Sequence, residues 1–565
     1  MSNEEIAEYF KKLADLLAIK GDNPYRIRAY RNAARTIETS GYDFVKLVQE
    51  GADLSKLPDI GDRIAKKIVE IVTTGHLRKL EEVQKEFPPG ILDLLKIEGI
   101  GPKRAKELYE KLGIGSLDEL RKAAEEHKIR ELPGFDVKTE EKILKGVILY
   151  KKEGKRFLYS EAEPYAQALV DHLRSFKAIR HLTVAGSFRR RKETVGDLDI
   201  VSTSDDPLGA MEHFSTYPGI KEIVSKGDTR STIILDNNLQ VDFRCVSDAS
   251  YGAALHYFTG SKAHNIAVRK MAVAKGWKVN EYGVFDDKMQ RIAGKNEEEI
   301  YALFGMPYIE PELREDRGEI EAALAGKLPR LIHRDDLHGD LQLWGSEEPA
   351  ALLSQAQKLG YDYCALAGEA SRLFCTHGRS CRPLENFLQK LDSLQPTSPV
   401  KILKTVVVDI LEDGSLNASD DDLKHFDLVI AYVKENFNLD EKRQTRRICT
   451  ALSHPAVRIF ADPTCRILAQ RNGCSLDFDL IADTALRHNV WLQIDARPER
   501  LDLDDIHLKR LRESGVRFVL GSYASIPEEM ERIRYGIHQA RRGWLEAGNV
   551  VNSLTYSELM RLLNS

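Results

Sequence analysis

The 565-residue chain has no Cys-x-x-Cys pair, no apolar run near the roughly 20 residues that span a bilayer, and no excess of basic charge. Its seven cysteines (Cys245, Cys364, Cys375, Cys381, Cys449, Cys465, Cys474) are scattered, which excludes a dense disulfide framework and fits a reduced cytosolic protein. Cys375, His377 and Cys381 lie close in the chain, but their spacing matches no standard zinc finger. The opening Met-Ser-Asn-Glu-Glu is neither basic nor apolar, so no secretory leader is expected. A net charge of −5 means that any nucleic-acid-binding surface must be local. With 42% hydrophobic and 30% charged residues, the composition is that of soluble globular domains, and the length asks for several of them.

What is present is a dense motif from Ala185 to Val201. His181–Ala185 and Leu198–Ser202 read as β-branched strands, and the basic segment between them as the start of a helix and its return loop. Side chains alternate along a strand, so Asp197 and Asp199 share a face and can grip divalent cations. Magnesium takes oxygen ligands and keeps waters and phosphates in its shell, which suits two carboxylates. Gly186 and Ser187 offer donors, and Arg189 and Arg190 add charge, as a triphosphate requires. Farther on, Gly227–Leu235 and Leu239–Val246 alternate as the strands of a hairpin around Asp236-Asn237-Asn238.

Joined at this spacing, Gly-Ser-x-Arg-Arg and Asp-x-Asp resemble the nucleotidyltransferase palm of the family X DNA polymerases, the polymerase beta group. Gln240-Val241-Asp242-Phe243-Arg244, Tyr257-Phe258-Thr259-Gly260-Ser261 with Asn265 and Arg269, and Asn280-Glu281-Tyr282-Gly283 match the family's later palm, nucleotide-binding segment and thumb in order. The resemblance implies Asp197, Asp199 and Asp242 as catalytic carboxylates holding two Mg²⁺ ions, with Mn²⁺ as a substitute. It places Gly186, Ser187, Arg190 and Gly196 on the triphosphate and Tyr257, Phe258 and Gly260 on the sugar. Asn265 falls at the minor-groove edge of the base, and Arg269 on the template strand. Three positions depart from the family: Arg191 for its usual glycine, Val195 for a frequent serine and Gln240 for a frequent arginine. Arg191 either adds a phosphate contact or crowds the loop.

The N-terminal third is helical by periodicity. Ile6, Tyr9, Phe10, Leu13, Leu16 and Leu17 recur on one face, and Asn23-Pro24 opens a helix carrying Arg26, Arg28, Arg31 and Arg35. A short unit then recurs: Leu57-Pro58-Asp59-Ile60-Gly61, Ile97-Glu98-Gly99-Ile100-Gly101 and Leu132-Pro133-Gly134-Phe135-Asp136, each before a helix. These resemble helix-hairpin-helix motifs, whose glycines let backbone amides approach a DNA phosphate. Gly99, Gly101, Lys103, Arg63, Lys66 and Arg269 are the DNA-binding candidates. Only the middle copy keeps Gly-x-Gly, and for the third a hairpin that merely packs is the alternative. The family's N-terminal domain also carries a lyase, and the alignment puts Lys67 at its Schiff-base lysine; plain 5′-phosphate binding is the alternative.

Beyond Pro311–Gly318, which reads as a charged linker, strand-like runs (Asp427–Val433, Val457–Ala461, Val490–Asp495, Val516–Leu520) alternate with helical ones and predict a parallel α/β barrel. Their order resembles the polymerase and histidinol phosphatase (PHP) domain of bacterial family X polymerases. The metal ligands of that domain do not carry over: Gln342, Trp344, Gly368, Glu369, Val407, Lys434, Asp462, Tyr523 and Ser525 stand at their positions. Loss of nearly all imidazoles leaves no zinc or manganese site, so the barrel is expected to be inactive, and removing it near residue 320 to spare the palm chemistry.

The expected organisation is multidomain. A helical DNA- and 5′-phosphate-binding domain covers 1–90 and helix-hairpin-helix fingers 91–150. An α+β palm (151–255) and thumb (256–315) follow, then a linker (316–334) and a degenerate PHP barrel (335–565). The expected function is family X DNA polymerase filling short gaps in gapped or nicked double-stranded DNA from deoxynucleoside triphosphates, as a nucleoid-associated cytoplasmic monomer with no membrane partner. A template-independent nucleotidyltransferase and a non-enzymatic DNA-binding scaffold are the alternatives.

Overall fold

The computed structural model describes residues 3–39, 42, 44–97, 99–152, 156–345, 349–374 and 382–564. Cys375, His377 and Cys381 lie outside the described residues. The chain divides into a unit built on Met1–Arg156 and a second covering Phe157–Leu235 and Leu239–Ser565.

In the first unit, α1 (Asn3–Lys20) buries Ile6, Phe10, Leu13 and Leu17 at helical spacing against α2 (Pro24–Thr39). The recurrent hairpins precede α3 (Asp62–Thr74), α4 (Pro102–Leu112) and α5 (Val137–Lys152). All three put the same turn position in the left-handed region: Asp59 at φ +58°, Gly99 at +90° and Gly134 at +82°. Glycine does this without strain, and aspartate is among the few other residues that tolerate it. Asp59 accepts from Asn32 Nδ2 at 3.1 Å.

In the second unit, α6 (Tyr159–Ser175) covers a five-stranded sheet of order β1-β2-β5-β4-β3. The strands are β1 (Ile179–Val184), β2 (Asp197–Ser204), β3 (Ile220–Lys226), β4 (Arg230–Leu235) and β5 (Gln240–Cys245). Only β2 and β5 pair in parallel. Two helices follow, α7 (Tyr251–Thr259) and α8 (Lys262–Ala274).

The C-terminal region is a nearly closed parallel barrel of seven strands from β6 (Gly339–Trp344) to β12 (Phe518–Gly521) in sequential order. Ala365, Val407, Ile430, Ile459 and Trp491 cluster on one face of the wall, while Leu366, Val406, Ala431, Phe460 and Leu492 pack on the other. Closure comes from a parallel bridge between Leu343 and Ala524.

The stretch read as a linker is instead part of the core. Arg314 and Glu319 are fully buried, and α9 (Glu319–Leu324) packs Ile320 and Ala323 inward. Its charges are paired rather than solvated: Arg314 with Glu297, Glu319 with His264 at 2.7 Å, Arg317 with Asp505 at 3.0 Å. Composition marked a charged segment correctly, but partners far away in sequence decide whether charges face water.

Candidate active site

The register of β2 and β5 sets Asp199 directly across from Asp242 and Asp197 across from Gln240, so both strands present carboxylates from one end of the sheet. Antiparallel pairing of β4 with β5 puts Thr232 opposite Asp242 and Arg230 opposite Arg244. Thr232 Oγ1 donates to Asp242, whose carboxylate also faces Arg230 at 3.5 Å and Arg244 at 3.8 Å. Burial, then the Asp197 and Asp242 carboxylates, pushes Asp199 up to about 7 against the pull of Arg244 and Arg230. Such mutual repulsion is what a cation relieves.

Gly186, at φ +64°, lies over this cluster, and a Cβ there would stand 2.9 Å from Asp199 Oδ2. The donor set is all oxygen, which fits Mg²⁺ rather than a softer metal. Among the described residues no three carboxylate, imidazole or thiolate groups converge into a metal cage. Magnesium does not require one, because water and substrate phosphate fill most of its shell.

Gly186 opens a one-turn helix, Gly186–Arg189, that carries Ser187, and Gly196 is exposed just before β2. The three arginines after Phe188 part company. Arg189 is taken up by Glu297 at 2.6 Å and Thr259 at 2.7 Å, so it adds no free charge to the cradle. Arg190 is fixed by Glu315 at 3.0 Å and by the Thr259 carbonyl, and among the described residues its Nη2 carries no protein hydrogen bond. Arg191 adopts φ +55°, a backbone conformation that favours glycine, and turns its guanidinium to Tyr159. Its guanidinium thus lies over the Tyr159 ring and is hydrogen-bonded to its hydroxyl.

On α7, Tyr257 and Phe258 meet edge to face at 5.0 Å, and Gly260 follows at φ +70°, where a Cβ would stand 3.2 Å from Arg190 Nη1. Arg244 lies 4.2 Å from the Phe258 ring centre and Arg269 5.2 Å from that of Tyr257. Asn265 Nδ2 donates to the Tyr257 carbonyl at 2.8 Å, while its buried Oδ1 has no hydrogen-bond partner among the described residues. Buried acceptors are rarely left so, which leaves Oδ1 free to accept a further hydrogen bond.

In the first unit, Arg63, Lys66 and Lys67 share one side of α3, beside the stripe of buried Ile64, Ile68 and Ile71. Lys67 is half-buried, and the other two are exposed. Gly99 and Gly101 precede α4, where Lys103 occupies the first turn; nothing lies within 4 Å of a Cβ built on Gly101. Asp136 differs, since its carboxylate accepts from Thr139 N at 2.7 Å. The third hairpin therefore caps with its own side chain an amide for which Gly101, at the same place in the middle one, has no side chain to offer.

Within the barrel several of the surviving acids are paired with cations. Arg497 Nη2 stands 3.1 Å from Asp462 and 2.6 Å from Asp495, with its guanidinium over Tyr523. Lys434 Nζ lies 2.9 Å from Glu369 and 3.7 Å from Asp409. Asp340 sits apart, accepting from the amides of Gln342 and Ser522 at 3.0 and 3.3 Å.

The sequence reading missed Thr232, Arg230 and Arg244 around Asp242. A signal existed: Arg244 is two residues on from Asp242 on the same strand face, and hairpin register fixes the other two.

A DNA polymerase beta thumb model matches residues 254–315, a helix-hairpin-helix domain model residues 1–77, and a SAM-like helix-hairpin-helix tandem model residues 91–147. The DNA polymerase/3′-5′ exonuclease PolX of Bacillus subtilis is 34% identical across 100% of this chain and 99% of its own length. DNA polymerase lambda of Rattus norvegicus is 27% identical over 55% of this chain and 56% of its own, and that of Arabidopsis thaliana 24% over 55% and 62%.

Proposed function

The chain belongs to the bacterial family X DNA polymerases, and on that footing we propose that it fills short gaps in DNA, as base-excision repair or end joining requires. It is a DNA-directed DNA polymerase, and polymerases of this family use divalent metals. The observation that carries the assignment of residues is the strand register that sets Asp199 beside Asp242, with Asp197 on the same face and Gly186 keeping the approach clear.

In this reading Asp197 and Asp199 lie beneath the triphosphate, and Asp242, held by Thr232, faces the attacking oxygen. Ser187, Gly196 and the open Nη2 of Arg190 take phosphate oxygens. Tyr257, Phe258 and Gly260 lie against the sugar, and Asn265 Oδ1 gains the base edge as its missing partner. A pair of Mg²⁺ ions, when bound, supplies charge stabilisation at the attacking 3′-hydroxyl and at the leaving pyrophosphate. The hairpins at Gly61 and at Gly99–Gly101 hold the DNA backbone without regard to sequence, and Arg63, Lys66 and Lys67 bind a downstream 5′-phosphate.

We also propose that residues 335–565 form a PHP barrel without hydrolase activity. Arg497 and Lys434 stand among the carboxylates where that domain would hold metal, and a fixed cation there opposes metal entry.

The deciding experiment is templated extension of a one-nucleotide gap by the purified chain. Asp242→Ala should slow it by more than about 1,000-fold, about 4 kcal/mol of barrier, with gapped-DNA affinity retained. Extension independent of template would show a template-independent transferase, and tight DNA binding with no extension a scaffold.

A further inference from the structure

The loop after Phe188 is held by the C-terminal barrel. Arg542, 2% exposed at the end of α10 (Ile533–Arg542), donates to the Arg190 carbonyl at 2.8 Å, to Glu315 at 3.1 Å and to Asp505. Glu315 also accepts from Arg190 Nε at 3.0 Å, so one carboxylate joins the arginine of the loop to the arginine of the barrel. Three residues later Glu193 accepts from Arg466 and, at 2.8 Å, from Gln539, both on the barrel. Tyr159, which stacks on Phe188 at 4.6 Å and receives Arg191, meets His538 of α10 edge-on at 5.5 Å.

A buried ion network of this depth is a poor source of net stability, because desolvation consumes most of the attraction. Against the burial that would raise it, Arg542 and Arg190 hold the Glu315 carboxyl well below the usual carboxylate range. What such a network does supply is position, since each charge tolerates few alternative placements.

We infer that the barrel serves the polymerase: Arg542 is a positioning residue that, through the Arg190 carbonyl and the shared Glu315 carboxylate, fixes the loop in its nucleotide-binding geometry. The inference rests on the reading of Arg190 as a triphosphate ligand. It gives a barrel that lacks metal ligands a reason to persist. It also reverses the sequence-based expectation that removing the chain near residue 320 spares the palm chemistry, because that cut removes Arg542, which holds the Arg190 carbonyl, and both donors to the Glu193 carboxylate.

Steady-state gap filling by the full chain tests this with Arg542→Gln, Arg542→Lys, Gln539→Leu and Arg190→Ala. Arg542→Gln should raise KM for the deoxynucleotide about tenfold, equivalent to about 1.4 kcal/mol, with the Kd for gapped DNA unchanged. Arg542→Lys, which keeps the charge, should recover part of the loss, and Gln539→Leu should shift KM the same way by less. If Arg542→Gln leaves KM unchanged while Arg190→Ala raises it, the loop binds nucleotide but the barrel does not position it, and the inference is overturned. An unchanged KM in Arg190→Ala overturns the underlying reading of the loop, and the inference with it. Should Arg542→Gln not fold, an unchanged KM in Gln539→Leu is the overturning result. Parallel losses of DNA affinity, kcat and melting temperature without a selective KM effect would likewise overturn it, as marks of a structural role alone.

Discussion

Gly186 and Asp199 approach so closely that a single methyl group would separate them: a Cβ on Gly186 would stand 2.9 Å from Asp199 Oδ2, on a backbone already at φ +64°. Gly186→Ala should therefore cost about 1–2 kcal/mol of local conformation and displace the carboxylate it meets. Gap filling is expected to fall about 100-fold or more, the equivalent of about 3 kcal/mol. Circular dichroism should show the fold retained. Near-normal kcat in this variant would mean that Asp199 does not need its observed position.

The basic face of α3 predicts a preference for 5′-phosphorylated gaps. Affinity for a gap with a downstream 5′-phosphate should exceed that for a 5′-hydroxyl gap, and the advantage should vanish in an Arg63→Ala/Lys66→Ala/Lys67→Ala chain, with a shallower salt dependence. Borohydride trapping on an abasic 5′-end then separates lyase from simple binding. A covalent adduct lost on Lys67→Ala identifies the Schiff-base lysine, and one that persists clears it of that role.

No 3′→5′ exonuclease activity is expected from the full chain with Mg²⁺ or Mn²⁺, in contrast to what its Bacillus relative is named for. Arg497 and Lys434 take up the charge of Asp462, Asp495, Glu369 and Asp409. The assay is best run on Asp242→Ala protein, where reversal of polymerisation is silent. Nucleolytic release that survives this change and disappears in Glu369→Ala would contradict the expectation.

Asp340 supplies a pH signature. Burial pushes its carboxyl up to about 6, although two backbone amides donate to it. The native state thus holds this proton more tightly than the unfolded chain does, so the group's contribution to stability is largest below about pH 4. That contribution is lost as pH rises to about 6 and stays constant above, about 3 kcal/mol in all. Asp340→Asn keeps an acceptor but cannot ionise. Its stability relative to the parent, followed by urea unfolding of the barrel, should climb between pH 4 and about 6 and then level off. A difference independent of pH would show that Asp340 is not the titrating group.

Much of the site was legible because its signals are local. Alternation along a strand put Asp197 and Asp199 on one face, while Asp242, marked by its family motif, comes to their side through the parallel pairing of Asp197–Ser204 with Gln240–Cys245. The recurrent turn marked the positions at Asp59, Gly99 and Gly134, and all three adopt the left-handed backbone that such a turn demands. Barrel strands stood out as apolar runs between helical ones, as parallel strands covered on both faces must.

The amino-acid sequence by itself determined the element types and the carboxylate strand, because periodicity and side-chain chemistry are properties of neighbouring residues. Only the tertiary structure decided where the long charged side chains end. Arg191 occupies a glycine-like turn yet spends its guanidinium on Tyr159, and Arg189 is used up by Glu297. The charged stretch around Arg314 is core rather than linker, and Arg542 reaches the Arg190 carbonyl from more than 350 residues away along the chain. A guanidinium at the end of a flexible stem takes whichever carboxylate or carbonyl the fold leaves desolvated, and that choice depends on burial contributed by several distant elements at once, which no window of sequence contains.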